Sequence, residues 1–128
     1  MKSNYKIIDL FAGVGGIRLG FERAAQSSDV ELDCVFTSEY DKFACSTYSK
    51  NYSDDHNPFN DITEQNEKEI PQFDILLAGF PCQAFSIAGR RGGFEDTRGT
   101  LFFDVAKIIK HHRPKAFLLE NVKGLINH

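Results

Sequence analysis

The sequence predicts an α/β fold with a mostly parallel β-sheet. Three observations indicate it: short apolar segments alternate with helical ones, the apolar segments are nearly continuous, and glycine-rich or polar residues follow them. Strands covered by helices on both faces have this continuous apolar character. With 128 residues, 41% of them hydrophobic, the chain is long enough to bury one core.

The first half of the chain contains two predicted strand–helix pairs. Residues 6–11 form an apolar run that ends in Ala-Gly-Val-Gly-Gly, which predicts a buried strand and a tight turn. Apolar residues at helical spacing predict the first helix over 17–25. A second strand is predicted over 32–37, and a second helix over 41–51.

The rest of the chain contains three further predicted strands. A short third strand is predicted to end at Asp61-Ile62-Thr63, before an acidic helix over 64–69. The apolar segment 73–78 predicts a fourth strand that leads into Gly79-Phe80-Pro81-Cys82. The glycine-rich segment 86–100 predicts a long loop. A helix over 101–111 and a fifth strand over 116–119 complete the prediction.

Every distinctive segment follows the carboxyl end of a predicted strand. In open parallel sheets, ligands bind at this edge. We therefore expect a single functional site there. In strand order, its members are residues 9–16, Glu39, Asp61, Cys82 and Glu120.

Composition restricts the class of protein. A domain that neutralises several phosphates by itself is expected to be basic, whereas this chain has a net charge of −3 and a pI of about 5.8. The densest basic cluster is Arg90, Arg91 and Arg98, for which a solvated loop is the alternative to a binding site. The polar N-terminus has no long apolar run, so we expect a soluble, cytoplasmic protein without a membrane span.

The cysteines and histidines predict reduced thiols and no metal site. The three cysteines form no C-x-x-C pair, and the four histidines have no ligand-spaced partners. Cys34 and Cys45 lie inside a predicted strand and helix, where inert packing is expected. Cys82 instead follows a proline at a strand end, so its thiol is expected to face the ligand crevice.

The glycine turn and Glu39 together predict a nucleoside site. Glycines let the backbone approach a ligand, and the helix N-terminus that follows favours negative charge. Glu39 is placed to accept hydrogen bonds from ribose hydroxyls. Because the spacing is not G-x-G-x-x-G, a nucleoside cofactor without a pyrophosphate fits better. A structural glycine turn with a surface glutamate is the alternative.

Two side chains have the chemistry for catalysis. Cys82 must become a thiolate to attack, which requires nearby positive charge or backbone donors. Glu120 follows two leucines, where loss of water would favour the protonated carboxyl and allow it to donate a proton. An ordinary strand-end carboxylate bonded to water is the alternative for Glu120.

Four motifs make the chain similar to the bacterial cytosine-5 DNA methyltransferases over nearly all of its length. They are Asp-Leu-Phe-Ala-Gly-Val-Gly-Gly, Gly-Phe-Pro-Cys-Gln-Ala-Phe-Ser, Gly-Thr-Leu-Phe-Phe-Asp and Glu-Asn-Val, in that order. The resemblance implies a Rossmann-like S-adenosylmethionine-dependent methyltransferase fold. It also implies an enzyme of a restriction–modification system that acts on double-stranded DNA. The related transfer RNA enzymes are disfavoured, because that branch resembles Pro-Pro-Cys-Gln at the nucleophile motif.

The resemblance also implies roles for individual residues. Cys82 would attack carbon 6 of a flipped cytosine, and Glu120 would bind or protonate ring nitrogen 3 while carbon 5 takes the methyl group. The residues implied for S-adenosylmethionine are Phe11 at the adenine, Gly13 and Gly15 in the turn, Glu39 at the ribose, and Tyr40, Asp61, Ile62, Pro81 and Leu101 around the pocket. Those implied for DNA are Gln83, Ser86, Arg98, Asn121 and Val122.

Later elements of the family do not occur in this sequence. They include the Gln-x-Arg-x-Arg motif, the region that reads the DNA sequence, and a C-terminal helix beside the cofactor. We therefore expect residues 1–128 to be the N-terminal part of a catalytic domain, with a sheet incomplete at its C-terminal side and an exposed edge strand. Activity is expected to be weak or absent without the missing part or a complementary subunit. A non-catalytic S-adenosylmethionine-binding module and one subunit of a split methyltransferase are the alternatives.

Overall fold

The computed structural model describes residues 3–80 and 100–121, in which strands and helices alternate along the chain. The strands are β1 (Ser3–Leu10), β2 (Val30–Ser38), β3 (Ile75–Gly79) and β4 (Ala116–Glu120), and the helices are α1 (Gly16–Ser27), α2 (Lys42–Asn51) and α3 (Thr100–His112). Within these two ranges, each helix falls short of the length and apolar content that crossing a membrane requires.

The four described strands form one parallel sheet in the order β2-β1-β3-β4. Asp9 of β1 pairs with Thr37 of β2 and with Leu77 of β3, and Gly79 of β3 pairs with Glu120 of β4. The carboxyl ends of the strands therefore meet at one edge, which confirms the predicted α/β fold and its mostly parallel sheet.

The central strands β1 and β3 bury apolar side chains on both faces, because helices cover both sides of them. Successive side chains of a strand point to opposite faces, so β1 contributes Ile8 and Leu10 to one cluster and Ile7 to the other. The first cluster is completed by α3, through Val105 and Ile108. The second includes half-buried apolar side chains of α1 and β2. This burial explains why the sequence pattern located β1 and β3 well.

The region between α2 and β3 differs from the prediction. The third strand at 61–63 and the acidic helix over 64–69 are wrong; the structure has two 3₁₀ turns, Ile62–Glu64 and Glu67–Glu69. Asp61 accepts a hydrogen bond from the backbone N–H of Thr63, and Asn66 accepts one from that of Lys68, each at 2.9 Å. These short polar side chains satisfy the backbone locally, which favours turns over a strand or a longer helix.

Strand β4 lies at one edge of the sheet with apolar side chains exposed on both faces. Phe117 is 53% exposed and Leu118 is 47% exposed, and neighbouring strand residues point in opposite directions. No strand among residues 3–80 and 100–121 pairs with its outer side. The expected exposed edge is therefore present in the described part of the chain.

Candidate functional site

The turn that follows β1 depends on glycine at two positions. Gly13 has φ 58° and Gly15 has φ 94°, both in the left-handed region that side chains disfavour. The N–H of Gly15 donates to the carbonyl of Ala12 at 2.9 Å, and its own carbonyl accepts from the N–H of Leu19 at 2.9 Å, which begins α1. The turn is thus joined directly to the helix N-terminus.

Phe11 links this turn to the core and is itself strained. Its φ of 54° places it in the left-handed region, which costs a residue with a side chain about 1–2 kcal/mol. Its ring centroid lies 5.2 Å from that of Phe80, and Phe80 lies 5.9 Å from Phe102 of α3. Asp29 and Arg113 share this conformation outside the predicted site, so the contact of Phe11 with the cofactor stays a prediction.

Glu39 ties the glycine turn to the start of α2. One carboxylate oxygen accepts from the N–H of Gly13 and the other from the N–H of Asp41, each at 2.8 Å. A carboxylate has about four lone-pair sites, so both oxygens can still accept from a ligand hydroxyl. The structure therefore brings together the turn and the carboxylate that the sequence singled out.

The segment after α2 runs beside Glu39. The N–H of Glu39 donates to the carbonyl of Pro58 at 2.9 Å, and the N–H of Asn60 donates to the carbonyl of Glu39 at 3.1 Å. Tyr40 is 72% exposed, and its ring is nearly parallel to that of Phe59, with the centroids 6.5 Å apart. An accessible aromatic face thus lies next to the carboxylate at the carboxyl edge of the sheet.

Three other predicted cofactor residues lie closer to the core. Ile62 is 6% exposed and belongs to the cluster covered by α3, and Leu101 packs against the same cluster. Asp61 is half-buried, and its carboxylate accepts hydrogen bonds from the N–H and hydroxyl of Thr63 at 2.9 and 2.6 Å. Their contacts with adenine stay predictions.

Glu120 lies beside Gly79 at the ends of β4 and β3. A Cβ on Gly79 would be 3.2 Å from a carboxylate oxygen of Glu120, so glycine leaves room for this carboxylate. The carbonyl of Glu120 accepts from the N–H of Phe80 at 3.0 Å, and the side-chain amide of Asn121 donates to the carbonyl of Phe80 at 3.4 Å. Glu120 is exposed, unlike the water-poor environment expected for it. The predicted residues Pro81, Cys82, Gln83, Ser86, Arg98 and Val122 lie outside the described residues.

A buried arginine at the back of the glycine turn was missed by the sequence reasoning. Arg18 is 6% exposed and binds both carboxylate oxygens of Asp54, at 2.6 and 2.9 Å. It also donates to Glu22 at 2.8 Å and to the hydroxyl of Tyr48 at 2.9 Å. Burial alone lowers the pKa of Arg18, but the hydrogen bonds to Asp54 and Tyr48 raise it overall. Only the i,i+4 spacing to Glu22 was readable in the sequence.

The same network reaches the end of β1. The hydroxyl of Tyr48 donates to the carboxyl group of Asp9 at 2.9 Å, and Asp9 is 2% exposed. Burial raises the pKa of Asp9 to about 7, against the opposing effects of the Tyr48 hydrogen bond and the charge of Arg18. A carboxyl group that titrates near neutral pH therefore lies two residues before Phe11.

The structure also groups three residues that the sequence did not connect. Possible ligand atoms of Cys34, Asp54 and His56 lie within 4.8 Å of one another. However, Arg18 binds the Asp54 carboxylate, and the Nε2 atom of His56 lies 2.8 Å from the hydroxyl of Thr37. Burial raises the pKa of Cys34 to about 11, so its thiol stays protonated near neutral pH. A neighbouring guanidinium and a protonated thiol disfavour a cation, and we assign the group to the Arg18 network.

Sequence comparisons relate the chain to bacterial methyltransferases. The type II methyltransferase M.NgoBV of Neisseria gonorrhoeae is 59% identical over 123 residues, which cover 96% of this chain and 29% of that protein. M.HpaII of Haemophilus parainfluenzae is 57% identical over 130 residues, which cover 100% of this chain and 34% of that protein. The chain thus spans about a third of the length of the curated relatives that it matches.

Solved structures confirm the fold. The Entamoeba histolytica methyltransferase EhMeth has a TM-score of 0.80 at 22% identity, and the match covers 99% of this chain and 40% of that one. A DNMT2 mutant from Spodoptera frugiperda has a TM-score of 0.72 at 25% identity, covering 97% and 37% respectively. Residues 5–128 match the model of the C-5 cytosine-specific DNA methylases, and the chain belongs to this family.

Proposed function

We propose that this chain is the N-terminal part of a DNA (cytosine-5)-methyltransferase of a restriction–modification system. It would supply the S-adenosylmethionine site and the nucleophile Cys82. The observation that carries the proposal is the Glu39 carboxylate, which accepts from the backbone of Gly13 and of Asp41 at the carboxyl edge of the sheet. Methyltransferases of this family and fold use S-adenosylmethionine. The similarity to bacterial type II methyltransferases supports a cytoplasmic location.

The described residues suit this cofactor. Glu39 offers acceptors for ribose hydroxyls, while Phe11 and Tyr40 offer aromatic surface for adenine. Gly13 and Gly15 let the backbone approach the ligand closely. Asp61, Ile62, Pro81 and Leu101 would bound the pocket. When bound, S-adenosylmethionine supplies an electrophilic methyl group.

The catalytic roles fall to Cys82 and Glu120. The Cys82 thiolate would form a bond to carbon 6 of a cytosine flipped out of the duplex, which makes carbon 5 nucleophilic. Glu120 would hold or protonate ring nitrogen 3, where charge develops. After carbon 5 is methylated, its proton leaves and the bond between sulfur and carbon 6 breaks. Cys82 follows Phe80 by two residues in the sequence, and Phe80 donates its N–H to the Glu120 carbonyl.

Sequence recognition of the DNA would be supplied by another part of the enzyme. Gln83, Ser86, Arg98, Asn121 and Val122 are the DNA contacts proposed for this chain. The net charge of −3 agrees with a basic DNA-binding surface that lies mostly elsewhere. The exposed apolar faces of β4 are where we propose that the remaining part, or a complementary subunit, packs.

The test is a covalent trap with duplex DNA that contains 5-fluorocytosine. Fluorine cannot leave carbon 5 as a proton does, so the bond to Cys82 persists after methyl transfer. The chain, completed by a C-terminal part, should give an adduct that maps to Cys82. Cys82→Ser should abolish the adduct, and the matched Cys45→Ser variant should retain it. Absence of an adduct, when an active methyltransferase control gives one, would refute the catalytic assignment.

Calorimetry and a change of substrate separate the alternatives. Binding of S-adenosylmethionine without methyl transfer by the completed protein would support a non-catalytic module. Methyl transfer to transfer RNA but not to duplex DNA would support the related RNA enzymes. Failure of the completed protein to bind the cofactor would contradict both the enzyme and the binding module.

A further inference from the structure

Tyr52, the residue that follows α2, supports the glycine turn from behind. Its hydroxyl donates to the carbonyl of Gly15 at 2.7 Å, and that carbonyl also accepts the first hydrogen bond of α1. A Cβ on Gly15 would overlap the ring of Tyr52, so the ring occupies the space beside this glycine. Tyr52 therefore fixes the position of the backbone at the end of the turn.

Arg18 in turn holds the ring of Tyr52. Its guanidinium carbon lies 4.1 Å from the centroid of the Tyr52 ring, in a cation–π contact. The two hydrogen bonds to Asp54 fix the plane of the guanidinium group, because a bidentate pair is more restrictive than a single contact. The rings of Tyr48 and Tyr52 are also in contact, with centroids 4.7 Å apart.

The supported turn carries the atoms proposed to meet the cofactor. The N–H of Gly15 bonds to Ala12, and the N–H of Gly13 bonds to the Glu39 carboxylate. A shift of Gly15 would therefore move the Gly13 amide relative to the carboxylate proposed to hold the ribose. Arg18 and Tyr52 act on this edge through the backbone of the turn.

We propose that Tyr52 and Arg18 are positioning residues that preorganise the glycine turn for S-adenosylmethionine. The inference rests on the proposed function, in which this turn binds the cofactor. Preorganisation strengthens binding by lowering the conformational cost that binding would otherwise carry. Loss of the one hydrogen bond to Gly15 should weaken the binding of S-adenosylhomocysteine, an unreactive probe, about fivefold.

The test compares Tyr52→Phe with Tyr5→Phe, which removes a hydroxyl from the amino-terminal half of β1. Without ligand, Tyr52→Phe should speed amide hydrogen exchange at residues 13–16 about fivefold and leave the β1 amides of Ile7 and Ile8 unchanged. The probe should bind about fivefold more weakly. In the completed enzyme, KM for S-adenosylmethionine should rise while kcat changes less than twofold. Tyr5→Phe should match the wild type in all of these measurements.

The two proposals fail in different ways. If exchange at the turn is unchanged, or if it rises equally in the core of β1, Tyr52 has no positioning role. If the turn exchanges faster but the completed wild-type protein binds no probe, the positioning contact stands and the proposed function fails. Arg18→Lys retains the charge but loses the bidentate pair, and the same measurements apply to it if Tyr52→Phe does not fold.

Discussion

Replacement of Asp9 by asparagine should change how the stability of this protein depends on pH. The Asp9 carboxyl is 2% exposed, and burial raises its pKa from 3.8 to about 7 in the folded protein. The folded state therefore holds a proton that the unfolded chain releases between these values. The stability that this group contributes is fully present below about pH 3.8 and is lost as the pH rises through about 7.

The size of the effect follows from the pKa shift. Each pKa unit corresponds to about 1.4 kcal/mol, so the shift of about three units amounts to roughly 4 kcal/mol across the range. Asparagine cannot ionise, and its amide oxygen can still accept from the hydroxyl of Tyr48. The advantage of Asp9→Asn over the wild type should therefore grow by about 1.4 kcal/mol per pH unit between pH 4 and 7 and then become constant.

Urea unfolding at several pH values between 4.5 and 8.5, followed by circular dichroism, measures this difference. Subtracting the free energy of unfolding of the wild type from that of the variant removes the contribution of other titrating groups. His56, whose pKa is lowered by burial, is one of these groups. Glu31→Gln is the matched control, because it removes an exposed carboxylate from β2. An Asp9→Asn difference that stays constant within about 0.5 kcal/mol from pH 5 to pH 8 would refute the reasoning.

The remaining predictions concern stability in equilibrium unfolding. Asp41→Ala should lower the free energy of unfolding by about 1 kcal/mol, because Asp41 caps α2 by accepting from two backbone N–H groups. Asp41→Asn should retain most of the cap, and an equal loss of stability in the two variants would contradict this. Leu77→Ala in β3 should lower the free energy of unfolding by about 2–5 kcal/mol, and Leu19→Ala, at a 42% exposed position, should lower it by less than about 1 kcal/mol. The opposite order would contradict the assigned core. Arg18→Met should lower the free energy of unfolding by about 3–5 kcal/mol, because it leaves the Asp54 carboxylate without the guanidinium group. Adding Asp54→Asn should recover part of that loss, and strictly additive effects of the two substitutions would exclude the coupling.

The sheet could be predicted from the sequence because its signals are local. Strand β3 is apolar throughout and β1 contains Ile7, Ile8 and Leu10, since helices cover both faces of these central strands. Parallel pairing then brings the residues after each strand to one edge, which explains why Glu39 and Gly13 were correctly grouped. The turns after Asp61 were mispredicted because capping by a single side chain decided the local structure.

The network behind the glycine turn could not be predicted in the same way. Arg18 binds Tyr48 and Asp54, which lie 30 and 36 residues further along the chain. No local periodicity reports contacts of that separation. The hydrogen bond that the buried Asp9 accepts from Tyr48 likewise joins residues 39 positions apart.

Gly79 lies where the core meets the carboxyl edge of the sheet. A methyl group there would approach the Cδ1 atom of Ile17 to 2.9 Å and a carboxylate oxygen of Glu120 to 3.2 Å. Any larger residue would have to displace a core side chain, the proposed catalytic acid, or both. Variation at this position is therefore restricted by two independent requirements, and a compensating change in α1 could relieve only one of them.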